Sequence, residues 1–165
     1  ADQKAVFAKY RQLLTDSALG QADPRRGRTV FEKTCMQCHK LYGQGGQIGP
    51  DITGANRANL DYLLGNVLTP SAVIQDAYKM QLVLTDSGRV YNGILAGENE
   101  RQIQLRVAGQ EDPVIIPKSA VESREIAPIS MMPKGLLNNL TDTEVLDLVA
   151  YLRTPKQVPL IDPTR

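Results

Sequence analysis

The stretch CMQCH, residues 35–39, decides how the rest of this chain is read. It holds both cysteines and the single histidine of a 165-residue sequence. A structural zinc site takes four Cys or His ligands, and the chain has three such residues in all. A thioredoxin-like pair follows a strand in a βαβ unit, whereas the preceding RRGRTVFEKT reads as a helix. A disulfide between Cys35 and Cys38 would be strained and would close almost no loop.

The pattern that remains is C-x-x-C-H, the signature of covalent haem attachment. Two cysteines three apart on a helical turn reach the two vinyl groups of one porphyrin and form thioethers. The adjacent His39 then presents its ring to the iron as the proximal ligand. Composition agrees with a bulky apolar group at the centre. Aromatic residues make up only 5% of the chain, with no Trp and two Phe, so the protein's own rings supply little core area.

Nineteen basic residues against eighteen acidic give a net charge of +1, which predicts no basic face for nucleic acid or anionic lipid. No apolar run approaches the ~20 residues of a membrane span. The opening ADQKAVFAKY lacks the layout of a secretory signal, as expected of a mature exported chain or of a domain cut from a larger one.

His39 leaves no second histidine in the chain for the other face of the iron. The usual alternative is methionine, of which there are four. Met36 lies between the attachment cysteines and cannot swing to the opposite face. Met80 lies in a strand-like run, YKMQLVL, and the plain reading of such a residue is core filler. Met131 and Met132 lie in ISMMPKG, an irregular stretch before Pro133 and Gly135, where a loop can be carried across a haem. The residues alone leave both open.

The segments GRTVFEKTCMQCHKLYGQGGQIGPDITG, LLGNVLTPSAVI, MMPKGL and LTDTEVLDLVAYL resemble a class I cytochrome c. More narrowly, they are similar to the haem-binding domain found in Pirellula- and Verrucomicrobium-type bacterial proteins. The likeness runs from about residue 27 to residue 152. It implies a mainly α cytochrome c fold with an inserted antiparallel β-sheet subdomain, α+β overall. It also implies one haem c, covalent through Cys35 and Cys38, with His39 and Met132 as metal ligands, because the family's ligand methionine directly precedes a proline. Met131 remains the competitor. Gly49 and Pro50 match a Gly-Pro of the family, which implies that the Pro50 carbonyl accepts the Nδ1 hydrogen of His39; a ligating imidazole needs such an acceptor to fix its tautomer.

The expected organisation is a helical extension over 1–24, a haem domain over 25–77 and 127–155, a β insert over 78–126 and a tail over 156–165. In the extension, Val6, Tyr10, Leu13 and Leu14 recur at helical spacing up to a break at GQADP. GQGGQIGPD lacks the Lys-Ser/Thr of a phosphate loop and reads as glycines admitting backbone to the haem edge. NLDYLLGNVL is a short helix with Leu60, Leu63, Leu64 and Val67 on one face.

Thr141 and Glu144 form a capping box opening a last helix, with Leu146, Val149, Ala150 and Leu152 inward and Tyr151 against Gly27 and Phe31. Between them, runs at 80–84, 89–95, 103–107 and 114–116 predict four or five antiparallel strands in a meander or small SH3-like barrel. Turns are expected at 86–88, 97–99 and 109–112, with Glu98, Glu100 and Arg101 as solvated turn residues.

The function this implies is a periplasmic electron carrier, taking single electrons from a redox partner protein such as a sugar or alcohol dehydrogenase. It is not expected to be an enzyme, with both axial positions filled. The alternative is a five-coordinate haem enzyme or sensor, peroxidase-like or gas-binding, with a displaceable methionine. The lack of a second histidine to act as acid–base weighs against the peroxidase form.

Overall fold

The computed structural model describes residues 2–162; residue 1 of the extension and residues 163–165 of the tail lie outside the described residues. Helix α1 (Gln3–Leu13) starts where the Asp2 carboxylate accepts the Lys4 N–H at 3.0 Å. It buries Tyr10, and Leu14 just past its end is buried too. Helix α2 (Asp16–Gln21) is capped by Thr15 and runs through the expected break, because Gly20 and Gln21 still fit its last turn.

Helix α3 (Pro24–Thr34) has Asp23 as cap and Pro24 at its first position, where a missing N–H costs nothing. A tight hairpin of β1 (Lys40–Leu41) and β2 (Gln44–Gly45) follows. Its two turn residues, Tyr42 and Gly43, both take positive φ, 51° and 80°, as the right-handed twist of such a turn demands. Helix α4 (Leu60–Leu68), capped by Asn59, buries Leu63, Leu64 and Leu68.

The insert then unfolds as β3 (Gln81–Thr85), β4 (Val90–Glu98), β5 (Gln102–Arg106), β6 (Val114–Pro117) and β7 (Val121–Ile126). Helix α5 (Asp142–Leu152) ends the helical part behind the Thr141–Glu144 capping box.

α3 and α5 are the main helix pair. Gly27 makes their crossing possible: a Cβ there would stand 1.8 Å from the Asp147 carbonyl oxygen and 2.7 Å from the Tyr151 Cβ. One turn on, the Phe31 and Tyr151 rings meet with centroids 5.6 Å apart. The buried face of α5 differs from the expected one. Val145, Asp147, Leu148, Val149, Tyr151 and Leu152 are buried, while Leu146 and Ala150 are only half-buried. The cause is Asp147, 3% exposed, whose carboxylate accepts the Asp23 N–H at 2.8 Å and the Arg26 Nε–H at 2.9 Å. A polar residue with partners of its own on α3 rotates the helix towards them.

The five strands pair antiparallel in the order β6-β5-β4-β3-β7. In a flat sheet the two edges, β6 and β7, would lie roughly 19 Å apart at ~4.8 Å per strand. Yet β6 ends at Pro117 and β7 begins at Val121, joined by a single 3-10 turn, Lys118–Ala120. Such a link spans only ~8 Å at ~2 Å rise per residue. The sheet must therefore curl into a barrel, and register shifts at Leu84/Thr85 and Leu95/Gly97 supply the bends. Val83, Ile103, Leu105 and Ile116 fill it as a core separate from that of the helices. One expected turn moves: Gly97 and Glu98 belong to β4, and the turn is made at Asn99, whose side chain accepts the N–H groups of Arg101 and Gln102.

The barrel's stem is narrow. The N–H of Ala127 donates to the Met80 carbonyl at 2.8 Å, so the chain leaves the insert where it entered. A unit with adjacent ends can sit in a loop of a host domain without disturbing it.

Candidate functional site

Helix α3 stops at Thr34, but its hydrogen bonding carries into the motif. Cys35 N–H donates to Phe31 O at 2.8 Å, and the N–H groups of Cys38 and His39 both converge on Cys35 O, at 3.1 and 2.9 Å. Residues 35–39 are thus one compact turn built on the end of a helix that Phe31 anchors in the core.

The following loop closes over this turn. Gly46 N–H donates to Met36 O at 2.9 Å and Gly49 N–H to Cys38 O at 2.7 Å. Three glycines admit the approach: a Cβ would lie 2.0 Å from His39 O at Gly45, 1.9 Å from Gln37 O at Gly46 and 2.5 Å from the imidazole Cε1 at Gly49. The glycine-rich loop therefore packs on the motif's own backbone and ring.

The loop also brings the Pro50 carbonyl 2.8 Å from His39 Nδ1. A carbonyl only accepts, so Nδ1 carries the hydrogen and Nε2 keeps its lone pair free. The two thiols are not bonded to one another. Burial, with a smaller contribution from Cys38, pushes the Cys35 thiol up to about 12. Burial also raises Cys38. Burial thus disfavours the thiolate at both cysteines. Among the described residues no group of three or more His, Cys, Asp or Glu side chains is arranged to hold a metal ion. One oriented imidazole and two adjacent unpaired thiols on one turn fit a haem joined through thioethers.

The four methionines part company. Met36 packs on the helical core. Met80 precedes β3, with its carbonyl in the barrel stem. Met131 and Met132 are half-buried and belong to neither core. The Met132 N–H donates to Ser130 Oγ at 3.1 Å, and the Ser130 N–H to Ser71 Oγ at 3.0 Å. The structure thus brings Cys35, Cys38, His39 and Pro50 together, whereas the hydrogen bonds of the Met131–Met132 loop run to the segment after α4.

Two supporting residues have no signal in the sequence. Arg57, 8% exposed, donates to the carbonyls of Ile52, Thr53, Leu152 and Thr154. It fastens the loop just beyond Pro50 to the C-terminal end of α5. Tyr42 bonds through its hydroxyl to Thr154 and stacks under the Arg57 guanidinium, 5.1 Å from its ring centroid. Its strained positive φ is held by these contacts.

Residues 24–81 match the family model described as Cytochrome c. The match opens on the first residue of α3 and ends on the first residue of β3, so it takes in the motif turn, the glycine loop and α4 and stops where the barrel begins. It supports a class I cytochrome c with covalently bound haem and an electron-transfer role, and it does not reach the narrower likeness to Pirellula- and Verrucomicrobium-type proteins.

The fold is accordingly α+β, consistent with a cytochrome c domain that carries an added antiparallel β subdomain. No curated protein matches the chain. A crystal structure of the pleiotropic translational regulator Hfq aligns over 44% of this chain and 97% of its own at 18% identity, with a TM-score of 0.28 that carries no inference about fold or function. No helix among the described residues is long and apolar enough to cross a membrane.

Proposed function

We propose that this chain is an exported electron carrier holding one haem c, with His39 and Met132 as axial ligands, and that it accepts electrons from a periplasmic sugar or alcohol dehydrogenase. The observation that carries the reading is the His39–Pro50 pair, which leaves Nε2 as the only ring nitrogen free to bind iron. When bound, the haem supplies a one-electron couple.

The residues do the rest. Cys35 and Cys38 fix the group by thioethers, and the Pro50 carbonyl increases the electron density of the imidazole and fixes its plane. Arg57 and the three glycines hold that carbonyl in place. Met132 is the better sixth ligand because Pro133 confines the residue before it to extended backbone, and its loop is tethered through Ser130 to Ser71. With both axial positions filled, little substrate chemistry is open at the metal.

The test has two stages. Intact mass after denaturation should exceed the polypeptide by one haem; a mass equal to the bare chain overturns the reading. In the oxidised holoprotein, Met132→Ala should abolish the weak red sulfur–iron charge-transfer band, lower the potential and admit cyanide, while Met131→Ala keeps the band. The reverse outcome transfers the role to Met131. A band retained in both variants transfers it to Met80, and a wild type without the band has no methionine ligand, which overturns the His–Met assignment.

A further inference from the structure

The barrel does not merely hang from its stem; one strand of it lies against the loop that holds His39. Ile94 of β4 is 3% exposed yet belongs to neither core. It lines a cleft of about 300 Å³ whose opposite wall is Lys40, Gly49 and Asp51. Arg106 is the register partner of Ile94 on β5, and along β5 it alternates with the barrel-filling Leu105. Its side chain is therefore carried on the outer face of the barrel, and it too lines the cleft, as does Tyr78.

The charges in this cleft are unbalanced. Arg106 is half-buried and its side chain, among the described residues, has no hydrogen bond or ion pair. The Tyr78 hydroxyl likewise has no partner. Lys40 adds a second cation on the opposite wall. The one carboxylate, Asp51, offsets one of the two cations and interacts electrostatically with Lys40, while its Oδ1 accepts the Thr53 N–H at 3.0 Å and the Thr53 hydroxyl at 2.7 Å, so the lining keeps a net positive charge centred on Arg106. A guanidinium, an ammonium and a phenol thus line one cleft beside a buried isoleucine, against a single carboxylate. The ligand such a cleft suits is an oxyanion.

We propose that the cleft between β4–β5 and the Gly49 loop is an oxyanion site, in which Arg106 and Lys40 hold a phosphate or carboxylate group beside the His39–Pro50 pair. The anion has two possible sources, a dissolved oxyanion or a propionate carboxylate of the haem itself. In either case its negative charge favours the oxidised iron. The barrel then acts as a device that sets the potential of the neighbouring haem domain. This second statement rests on the electron-carrier reading, whereas the site itself does not.

The experiment uses haem-loaded protein at low ionic strength, with inorganic phosphate titrated by calorimetry and the midpoint potential followed in parallel. Wild type should bind one phosphate saturably and its potential should fall as phosphate is added. Arg106→Gln and Lys40→Gln should each weaken binding at least about tenfold, the loss of one charge-assisted hydrogen bond. Neither side chain belongs to the core of the helices or of the barrel, so circular dichroism and haem content should match wild type.

If wild type binds no phosphate but Arg106→Gln alters the pH dependence of the potential, the cleft holds the propionate, and the oxyanion site stands with that source. If phosphate binds equally to wild type and both variants, the site is elsewhere and the proposal fails. It fails too if neither phosphate binding nor any change of potential is seen. A chain that carries no haem sinks the electron-carrier reading alone, since phosphate binding can still be measured.

Discussion

Replacing Arg57 with glutamine should unfasten the loop that follows Pro50 from the end of α5. The guanidinium donates to Leu152 O at 2.6 Å, Thr154 O at 2.9 Å, Ile52 O at 3.0 Å and Thr53 O at 3.0 Å, and lies 3.2 Å from the Tyr42 hydroxyl. The bond to Leu152 is buried, and leaving a buried carbonyl without its donor costs about 1–3 kcal/mol. The other three acceptors are part-buried and recover water in part, so the expected total is roughly 2–4 kcal/mol. For a domain of this size that lowers the melting temperature by ~5–15 °C. Arg57→Lys should fall between wild type and Arg57→Gln, because an ammonium restores the charge at the α5 terminus but cannot span four carbonyls at once. Thermal melts by circular dichroism, on samples of equal haem content, measure the series. A glutamine variant melting within ~2 °C of wild type would refute the clamp.

Two further outcomes follow from the packing. Gly27→Ala drives a methyl group into the Asp147 carbonyl, so α5 must move off α3; urea titration should show a loss of about 1–3 kcal/mol, and an unchanged midpoint would mean the crossing is looser than described. Glu98 bonds Arg124 at 2.7 Å and Lys118 at 2.8 Å, and these partners, Arg124 first, hold its carboxyl down to about 2. A depressed carboxyl stabilises the fold above its unfolded value of 4.5 and loses that contribution as pH falls through about 2. Glu98→Gln should therefore destabilise the barrel at pH 7 and flatten stability against pH across that window; an identical acid profile in the variant removes Glu98 from barrel closure.

What the sequence revealed was local. The motif turn, the Thr141–Glu144 box and the Gly27–Tyr151 contact each depend on spacings within one helix or on a residue too small to be accidental. Strands of the insert were readable from their period-two runs, but the choice between an open meander and a small barrel was not, because it depends on β7 returning to β3 across the whole insert. Glu98 reads as a turn residue until the fold sets Arg124, 26 positions away, beside it. Arg57 is invisible for the same reason: its deepest bond reaches a backbone carbonyl 95 residues on, and a carbonyl leaves no mark in an amino-acid pattern. The buried face of α5 was misjudged because Asp147 reads as a surface residue. Only Asp23 and Arg26, on another helix, give it reason to be inside.

The two proposed iron ligands stand on parts of the fold that are held in different ways. His39 sits on a turn continuous with α3, backed by the helical core and locked by the glycine loop and Arg57. Met132 lies five residues past Ala127, whose bond to Met80 closes the barrel stem, and its own tether is Ser130 to Ser71, in the segment between α4 and the insert. Those two restraints lie outside the helical core, which the chain rejoins only at Leu137, five residues past Met132. Weakening the stem should release the methionine before it disturbs the histidine. Hydrogen exchange at the Ala127 amide reads this directly. If the reasoning holds, the amide opens more readily than that of His39, and Ser71→Ala speeds cyanide entry to the iron while leaving the melting temperature of the helical part unchanged. If instead the two amides open together and Ser71→Ala lowers both, the barrel stem and the haem turn form one cooperative unit, and the methionine loop shares the rigidity of the core.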